Sequence, residues 1–278
     1  MRAFSEAYLR RTRAGMWADS RDALADLELA SREHILDVGC GSGELTRVLA
    51  EESSGTVIGC DADRSLLEYT RGSIDDVPGA SSKQSVPVVQ GDATRLPFAS
   101  DSVDLVTCQA LLINLPDPVT AVEEFARVSS DLVAAIEPDN GAVTIDSTVP
   151  QEATLEHRAR KAYLDGVETD VTLGVGARDV FETAGLDVVS THRYDHDRTI
   201  SPPYDEHALT VARRKATGAG LADDRATMLQ SDLTGAEYDD LRSEWRAMGR
   251  DVIEAMQDGQ YERTETVPFY VTVGRVQS

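Results

Sequence analysis

The segment ILDVGCGSGELT, residues 35–46, constrains the fold of this chain more than any other stretch. A short apolar run leads into it, and a helical pattern follows it. Between the two, glycine occupies every second position from Gly39 to Gly43. A glycine loop between a strand and a helix removes Cβ atoms, so the backbone can approach a nucleotide-like ligand closely. The pattern therefore predicts a ligand site where a β-strand ends.

Apolar runs and helical patterns alternate along the first 140 residues. The apolar runs lie at residues 34–38, 56–61, 86–92, 102–112 and 131–138. Continuous apolar strands that alternate with helices indicate a parallel sheet covered on both faces. Ligands of such sheets bind beyond the carboxyl ends of the strands. The rest of the chain predicts a sixth strand from Leu186, a helical stretch over 204–258 and a final β-rich run.

The glycine spacing argues against the two common phosphate-binding loops. In a G-x-G-x-x-G dinucleotide fingerprint, Glu44 would stand in the place of the third glycine. No Lys–Ser/Thr pair follows the loop, so it is not a P-loop. A cofactor without phosphates fits better, which leaves an NAD-dependent oxidoreductase as the less favoured alternative.

Two aspartates end the second and third predicted strands. Asp61 is placed to accept hydrogen bonds from ribose hydroxyls, and it would repel a 2′-phosphate. Asp92 could accept a bond from an exocyclic amine such as adenine N6, while the backbone of Ala93 addresses the ring edge. Taken alone, each aspartate is also compatible with helix capping. Together they indicate an adenosine that carries something other than phosphate.

Four segments in order resemble the successive motifs of class I S-adenosylmethionine-dependent methyltransferases, in particular the small-molecule, ubiquinone/menaquinone-type branch. They are ILDVGCGSGELT, VIGCDADRSLLEYT, VVQGDATRLPFASDSVDLVTCQALLINLPDP and IEPDN. The resemblance implies an α/β, Rossmann-like sheet of seven strands in the order 3-2-1-4-5-7-6, with strand 7 antiparallel and with helical insertions. It also implies S-adenosyl-L-methionine as cofactor, S-adenosyl-L-homocysteine as product, and in-line methyl transfer to an unidentified small molecule. A regulatory protein that binds S-adenosylmethionine without catalysing transfer is the alternative.

The resemblance also implies roles for individual residues of the cofactor site. Asp37 would orient the methionine amino group through water, and Gln109 would offer its backbone carbonyl to the same group. The other cofactor residues would be Gly39, Cys40, Gly41 and Gly43 in the loop, Asp61 and Ala62 at the ribose and adenine, and Asp92 and Ala93 at the adenine edge.

The sequence assigns no catalytic residue, because methyl transfer from a sulfonium needs a general base only when the acceptor must lose a proton early. Asn114 stands where many relatives have a histidine, which argues against acid–base catalysis there. A helix is predicted to start near residue 235, and its apolar stripe could wall an acceptor pocket or simply pack against the domain. The substrate-side candidates are Tyr8, Arg13, Asn114, His157, Trp245 and Met248.

Four segments follow from these patterns. Residues 1–30 form an N-terminal helical segment that could close over the cofactor as a lid, and residues 31–200 form the Rossmann-like core. Residues 201–262 form a helical insertion on the acceptor side, and residues 263–278 supply the last strand of the core.

The charge of the chain is unusual: the formal net charge is -22, and only three of the 27 basic residues are lysines. The acidic residues are spread along the chain, as in proteins from hosts with molar internal salt, where self-repulsion is screened. An acidic surface makes nucleic acid an unfavourable partner. No metal-binding spacing and no membrane-spanning run is present, and the three scattered cysteines are typical of a reducing cytoplasm. The sequence therefore predicts a cytoplasmic, halophilic protein with a small-molecule substrate.

Overall fold

The computed structural model describes residues 9, 12–13, 15–18, 20–74 and 86–277. The chain divides into two compact units. The first is built from Met1–Pro138, Leu173–Tyr194 and Phe269–Ser278, and the second from Asp139–Thr172 and Asp195–Pro268. The second unit therefore contains residues 139–172, 195–200 and 263–268 in addition to the predicted insertion, residues 201–262.

The strands have the predicted order, with one addition. They are β1 (His34–Val38), β2 (Thr56–Asp61), β3 (Val88–Gln90), β4 (Val103–Gln109), β5 (Ser129–Pro138), β6 (Thr144–Ser147), β7 (Asp187–Ile200) and β8 (Arg263–Arg275). The order is β3-β2-β1-β4-β5-β8-β6, and β7 also pairs with β8. Strands β1 to β5 pair in parallel, whereas β8 runs antiparallel to β5. With β7 and β8 counted as the sixth and seventh strands, the predicted Rossmann-like order is confirmed, and β6 is an extra strand.

Helices cover the strands of the first unit. Within it lie α1 (Glu44–Glu52), α2 (Arg64–Ile74), α3 (Pro118–Val128) and α5 (Ala177–Thr183). Asp117 caps α3 by accepting from the backbone N–H of Thr120, and Pro118 occupies the first turn, where no donor is needed. The apolar side of α3 buries Val122 and Phe125 against the core of the sheet. This packing leaves the carboxyl ends of β1, β2 and β4 for the loops that carry the site.

The second unit has a core of its own. Its helices are α4 (Glu152–Asp165), α6 (Glu206–Thr217), α7 (Ala219–Asp223), α8 (Arg225–Met228) and α9 (Gly235–Gln257). Helix α9 starts at the predicted capping box, in which Thr234 and Glu237 bond to each other's backbone N–H. Its apolar stripe is fully buried in this core and consists of Tyr238, Leu241, Trp245, Met248, Val252 and Met256.

A buried network of charges lies within the second unit. The Lys215 ammonium contacts the Glu152 carboxylate and lies 2.8 Å from Glu156. The Tyr261 hydroxyl donates to Glu152 at 2.9 Å. Buried charges are tolerated when they are paired and hydrogen-bonded in this way, and losing one partner is costly.

No helix among the described residues is both long enough and apolar enough to cross a membrane.

Candidate functional site

The glycine loop follows β1 and takes conformations that side chains disfavour. Gly39 and Gly41 have φ angles of 69° and 55°. A Cβ atom on Gly39 would lie 2.9 Å from Cδ1 of Leu111, and one on Gly41 would lie 3.1 Å from Cδ1 of Leu9. The Gly39 N–H donates to the Cys60 carbonyl at 2.7 Å, which ties the loop to β2. The loop thus forms a narrow cradle of bare backbone, as its sequence predicts.

Asp61 connects this loop to the end of β2. One carboxylate oxygen accepts from the backbone N–H of Gly41 at 2.9 Å, and the other accepts from the N–H of Asp63 at 2.9 Å. Each carboxylate oxygen can accept a second bond, so the side chain still has acceptor capacity for two hydroxyls. The next residue, Ala62, is held by a bond from the Gln90 amide to its carbonyl, 2.9 Å long.

A pocket of about 340 Å³ opens at the carboxyl ends of these strands, within the first unit. It brings together seven of the residues predicted for the site, namely Arg13, Gly39, Gly41, Asp61, Ala62, Ala93 and Asn114. The other lining residues are Leu9, Val38, Asp63, Leu66, Gly91, Ala110 and Leu111.

Five predicted cofactor residues are not on the lining of the pocket, namely Asp37, Cys40, Gly43, Asp92 and Gln109. Cys40 and Gly43 are buried within the loop. Burial raises the pKa of the Cys40 thiol well above its ordinary value, so this thiol stays protonated. Asp92 is exposed, and its carboxylate accepts from the N–H and the hydroxyl of Thr94 at 2.9 and 2.8 Å. These bonds lower the Asp92 pKa and hold a turn, and no helix begins at Asp92, so this side chain is not a helix cap.

Asp37 is a buried acid at the end of β1, with 1% of its surface exposed. Its Oδ2 atom accepts from the Thr46 hydroxyl at 2.6 Å. Its Oδ1 atom has no hydrogen-bond partner among the described residues. Burial raises the Asp37 pKa from 3.8 to about 7. Asp37 thus holds a buried, unpaired acceptor atom just ahead of the glycine loop, although its side chain is not among those that line the pocket.

A second buried acid, Glu137, was not singled out by the sequence analysis. Its carboxylate accepts three backbone N–H bonds from residues 111–113, at 3.0, 2.9 and 3.3 Å. Burial raises the Glu137 pKa to about 7, although these bonds oppose the rise. The bonds fix the turn after β4, which carries the lining residues Leu111 and Asn114. The only sequence signal was an acid at the end of an apolar strand, in AAIEP.

The N-terminal segment contributes Leu9 and Arg13 to the pocket lining. Arg13 Nη2 donates to the backbone carbonyl of Gln109 at 3.2 Å, the same carbonyl that was predicted to bind the cofactor amino group. Trp17 is buried and packs against Tyr194, with ring centroids 5.4 Å apart. Tyr8 lies outside the described residues.

The remaining substrate-side candidates do not line this pocket. His157 is exposed on α4, while Trp245 and Met248 lie in the core of the second unit. Their predicted contact with an acceptor stays a prediction. Among the residues that the structure describes, no cluster of His, Cys, Asp and Glu could hold a metal ion.

Comparisons with known proteins agree with this architecture. Residues 36–131 match the methyltransferase domain family. Demethylmenaquinone methyltransferase of Lactiplantibacillus plantarum is 31% identical over 138 residues, which cover 49% of this chain and 54% of that protein. Methyltransferase GfsG of Streptomyces halstedii is 33% identical over 128 residues, which cover 41% of this chain and 45% of that protein. This chain thus spans about half the length of these curated relatives.

A solved structure supports the same fold over most of the chain. A candidate methyltransferase from Bacillus halodurans aligns with a TM-score of 0.54 and 17% identity, covering 92% of this chain and 99% of that one. The strand order and these matches support the fold of a class I S-adenosylmethionine-dependent methyltransferase for this chain. Several of its relatives are demethylmenaquinone methyltransferases, which agrees with the branch that the four motifs resemble.

Proposed function

We propose that this protein transfers a methyl group from S-adenosylmethionine to a small-molecule acceptor. The observation that carries the proposal is the hydrogen bond between Asp61 and Gly41, which builds a carboxylate and a bare glycine loop into one wall of the pocket. A carboxylate at the end of the second strand suits a ribose diol. The loop beside it suits a ligand part without phosphate.

The residues present fit S-adenosylmethionine. The unpaired, buried Oδ1 of Asp37 suits the ammonium of its amino-acid part, and the glycine cradle leaves room for a ligand where a Cβ would intrude. Asp61 would hold the ribose, and Ala62 and Ala93 would lie against the adenine. This assignment uses only residues of the first unit.

The cofactor supplies an electrophilic methyl group on a sulfonium. The residues of the chain bind and orient the reactants and exclude water, and this positioning is the main contribution that a methyltransferase makes to the rate. No histidine is found among the described lining residues of the pocket.

The printed name of one relative supports a small apolar acceptor. One of them is a demethylmenaquinone methyltransferase, so its substrate class is a quinone with a lipid tail. The net charge of -22 disfavours nucleic acid, because phosphate backbones require a basic surface. We infer an uncharged, apolar small molecule as the acceptor class.

Calorimetry with the purified full chain in molar KCl tests the proposal. S-adenosylmethionine and S-adenosylhomocysteine should bind with micromolar or better affinity, and NAD should not bind measurably. Binding of NAD with similar affinity, or of none of the three, would overturn the assignment. Release of S-adenosylhomocysteine on addition of quinols and other small acceptors then separates an enzyme from a binding protein.

A further inference from the structure

Three aromatic side chains of the first unit form a stack that the cofactor assignment does not use. The ring centroids of Trp17 and Tyr194 are 5.4 Å apart. Tyr194 in turn stacks on Phe269, with 5.5 Å between centroids and 18° between the ring planes. Phe269 pairs with Pro138, the last residue of β5. The stack therefore lies within the first unit at the carboxyl end of β5, the same end of the sheet as the pocket.

Two of these three rings carry a buried polar atom that is unpaired. The Nε1 atom of Trp17 and the hydroxyl of Tyr194 have no hydrogen-bond partner among the described residues. Burial raises the pKa of the Tyr194 hydroxyl well above its ordinary value, so this group stays protonated and can donate. Buried tryptophan and tyrosine usually pair these groups, because an unpaired buried donor costs free energy. Phenylalanine would pack at both positions without that cost, so the two donors indicate a ligand and not packing alone.

The stack adjoins the cofactor pocket through the N-terminal segment. Arg13 lines the pocket and donates to the carbonyl of Gln109 at 3.2 Å. The side-chain amide of Gln109 donates to Sδ of Met16 at 2.8 Å, and Met16 directly precedes Trp17. The charge of Arg13 also opposes the rise in the Tyr194 pKa, so the guanidinium is within electrostatic reach of that hydroxyl. A molecule held at the stack would therefore lie next to one bound in the pocket.

The groups of the stack define the chemistry of such a molecule. Aromatic side chains pack well against a planar ring. One N–H and one O–H donor, both uncharged, suit oxygen atoms on that ring as acceptors. The nearby guanidinium of Arg13 disfavours a cation through like-charge repulsion. The ligand class is therefore an uncharged planar ring that carries carbonyl or hydroxyl oxygen atoms.

We propose that Trp17 and Tyr194 form the acceptor subsite, in which their rings contact a planar, uncharged acceptor and their N–H and O–H groups donate to its oxygen atoms. This inference rests on the proposed function, and it identifies the side chains that hold the acceptor beside the cofactor. Neither residue is among the substrate-side candidates that the sequence indicated. The two donors select for oxygen on the ring, whereas the ring faces select only for planarity.

A binding cycle with two probes tests the subsite. The probes are 2-methyl-1,4-naphthoquinone and 2-methylnaphthalene, which share a fused-ring skeleton and differ in two carbonyl oxygens. By calorimetry on the full chain saturated with S-adenosylhomocysteine in molar KCl, the quinone should bind about tenfold more tightly than the hydrocarbon. Trp17→Phe and Tyr194→Phe should each weaken the quinone about threefold, and the double variant should lose the preference. The hydrocarbon should change by less than about twofold, because both variants keep a ring.

The controls separate this inference from the proposed function. Tyr270→Phe removes a hydroxyl from the residue next to Phe269, on the other face of the sheet, and should change neither probe's affinity. All three substitutions should leave the affinity for S-adenosylhomocysteine unchanged, unlike Asp61→Ala.

Three results would overturn the subsite while the cofactor assignment stands. They are equal affinity of the wild-type chain for both probes, binding of neither probe, and a preference for the quinone that survives in the double variant. If S-adenosylhomocysteine does not bind, the proposed function fails, and the same probe cycle on the chain alone still decides the roles of Trp17 and Tyr194. If Trp17→Phe does not fold, Tyr194→Phe carries the same comparison.

Discussion

The carboxylate of Asp61 accepts a hydrogen bond from the backbone N–H of Gly41, with 2.9 Å between the two heavy atoms. The bond joins the end of β2 to the loop after β1, and both residues line the pocket. Asp61 is thus both part of the loop's structure and the expected ligand of the ribose. A substitution there should affect binding more than stability, because the side chain is only half-buried.

Asp61→Ala should weaken binding of S-adenosylhomocysteine at least tenfold, about 1.4 kcal/mol. The change removes two hydrogen bonds to a charged acceptor, which are stronger than neutral ones. Calorimetry measures the loss. Glu68→Ala removes an exposed carboxylate from α2 and serves as the control, with unchanged affinity expected. Unchanged affinity in Asp61→Ala would rule out its ribose role.

Gly39→Ala should destabilise the fold by about 1–2 kcal/mol, because its φ of 69° is unfavourable for residues with a Cβ. The new Cβ would also press on the side chain of Leu111, 2.9 Å away, and so disturb the pocket wall. Chemical denaturation and ligand titration should both register the change. Gly235→Ala is the matched control, since nothing lies within 4 Å of its Cβ position. Equal stability of the two variants would contradict this account of the loop.

Asp37 should make the fold less stable as the pH rises. Burial raises its folded-state pKa from 3.8 to about 7, so the folded chain holds a proton that the unfolded chain releases between these values. The stabilisation is complete below about pH 3.8 and is lost as the pH rises through 7. Asp37→Asn keeps an acceptor for Thr46 and has no charge to bury, so it should gain stability relative to wild type from pH 5 to pH 8. A difference that does not vary with pH in urea unfolding would argue against a raised pKa.

The contribution of Glu265, in the second unit, to the stability of the fold depends on pH in the opposite direction to that of Asp37. Burial raises its pKa, but Arg198, Arg263 and Arg160 outweigh this and lower it from 4.5 to about 2. Its contribution is therefore present above pH 4.5 and is lost as the pH falls toward 2. Glu265→Gln should cost about 1.5–3 kcal/mol at neutral pH, because the partly buried carboxylate would lose its charge-assisted bonds to arginine, and less near pH 2. Acid titration of the wild-type chain and the variant, followed by circular dichroism, measures this difference in stability. Glu182→Gln is the control, because Glu182 forms an exposed i,i+4 ion pair with Arg178 on α5. This substitution should lower the free energy of unfolding by less than about 0.5 kcal/mol.

Stability should rise with salt up to molar concentration. A net charge of -22 favours expansion through self-repulsion, and salt screens that repulsion. The melting temperature should therefore increase between dilute and molar KCl, with potassium and sodium chloride acting alike. A melting temperature that does not depend on KCl would count against the halophilic prediction.

The sequence predicted the parts of the molecule that depend on local pattern. The strand order was implied by the resemblance of four motifs to class I methyltransferases. The glycine loop, the aspartates at the strand ends and the capping box of Thr234 all follow from short-range spacing. Each of these features places its key residues within one loop or one strand end. Turn chemistry and hydrophobic periodicity are sufficient to indicate them.

Other features depend on residues that are far apart in the chain. The bond from Arg13 to Gln109 joins residues 96 positions apart, and Tyr261 and Glu152 meet across 109 positions. In the sequence, Glu137 is an ordinary acid at the end of a predicted strand. Only in the folded structure do three backbone N–H groups of the 111–113 turn donate to its carboxylate. The extra strand β6 has only four residues, and its burial alternates without a strong apolar signal. Such features arise from tertiary packing, which periodicity does not encode.

The structure of the full chain bound to S-adenosylhomocysteine tests the central claim most directly. We expect the ribose hydroxyls within hydrogen-bond distance of the Asp61 carboxylate, and the homocysteine ammonium near Asp37 Oδ1. The adenine should lie between Ala62 and Ala93, in the pocket of about 340 Å³. A ligand bound outside this pocket, or a ribose turned away from Asp61, would contradict the account.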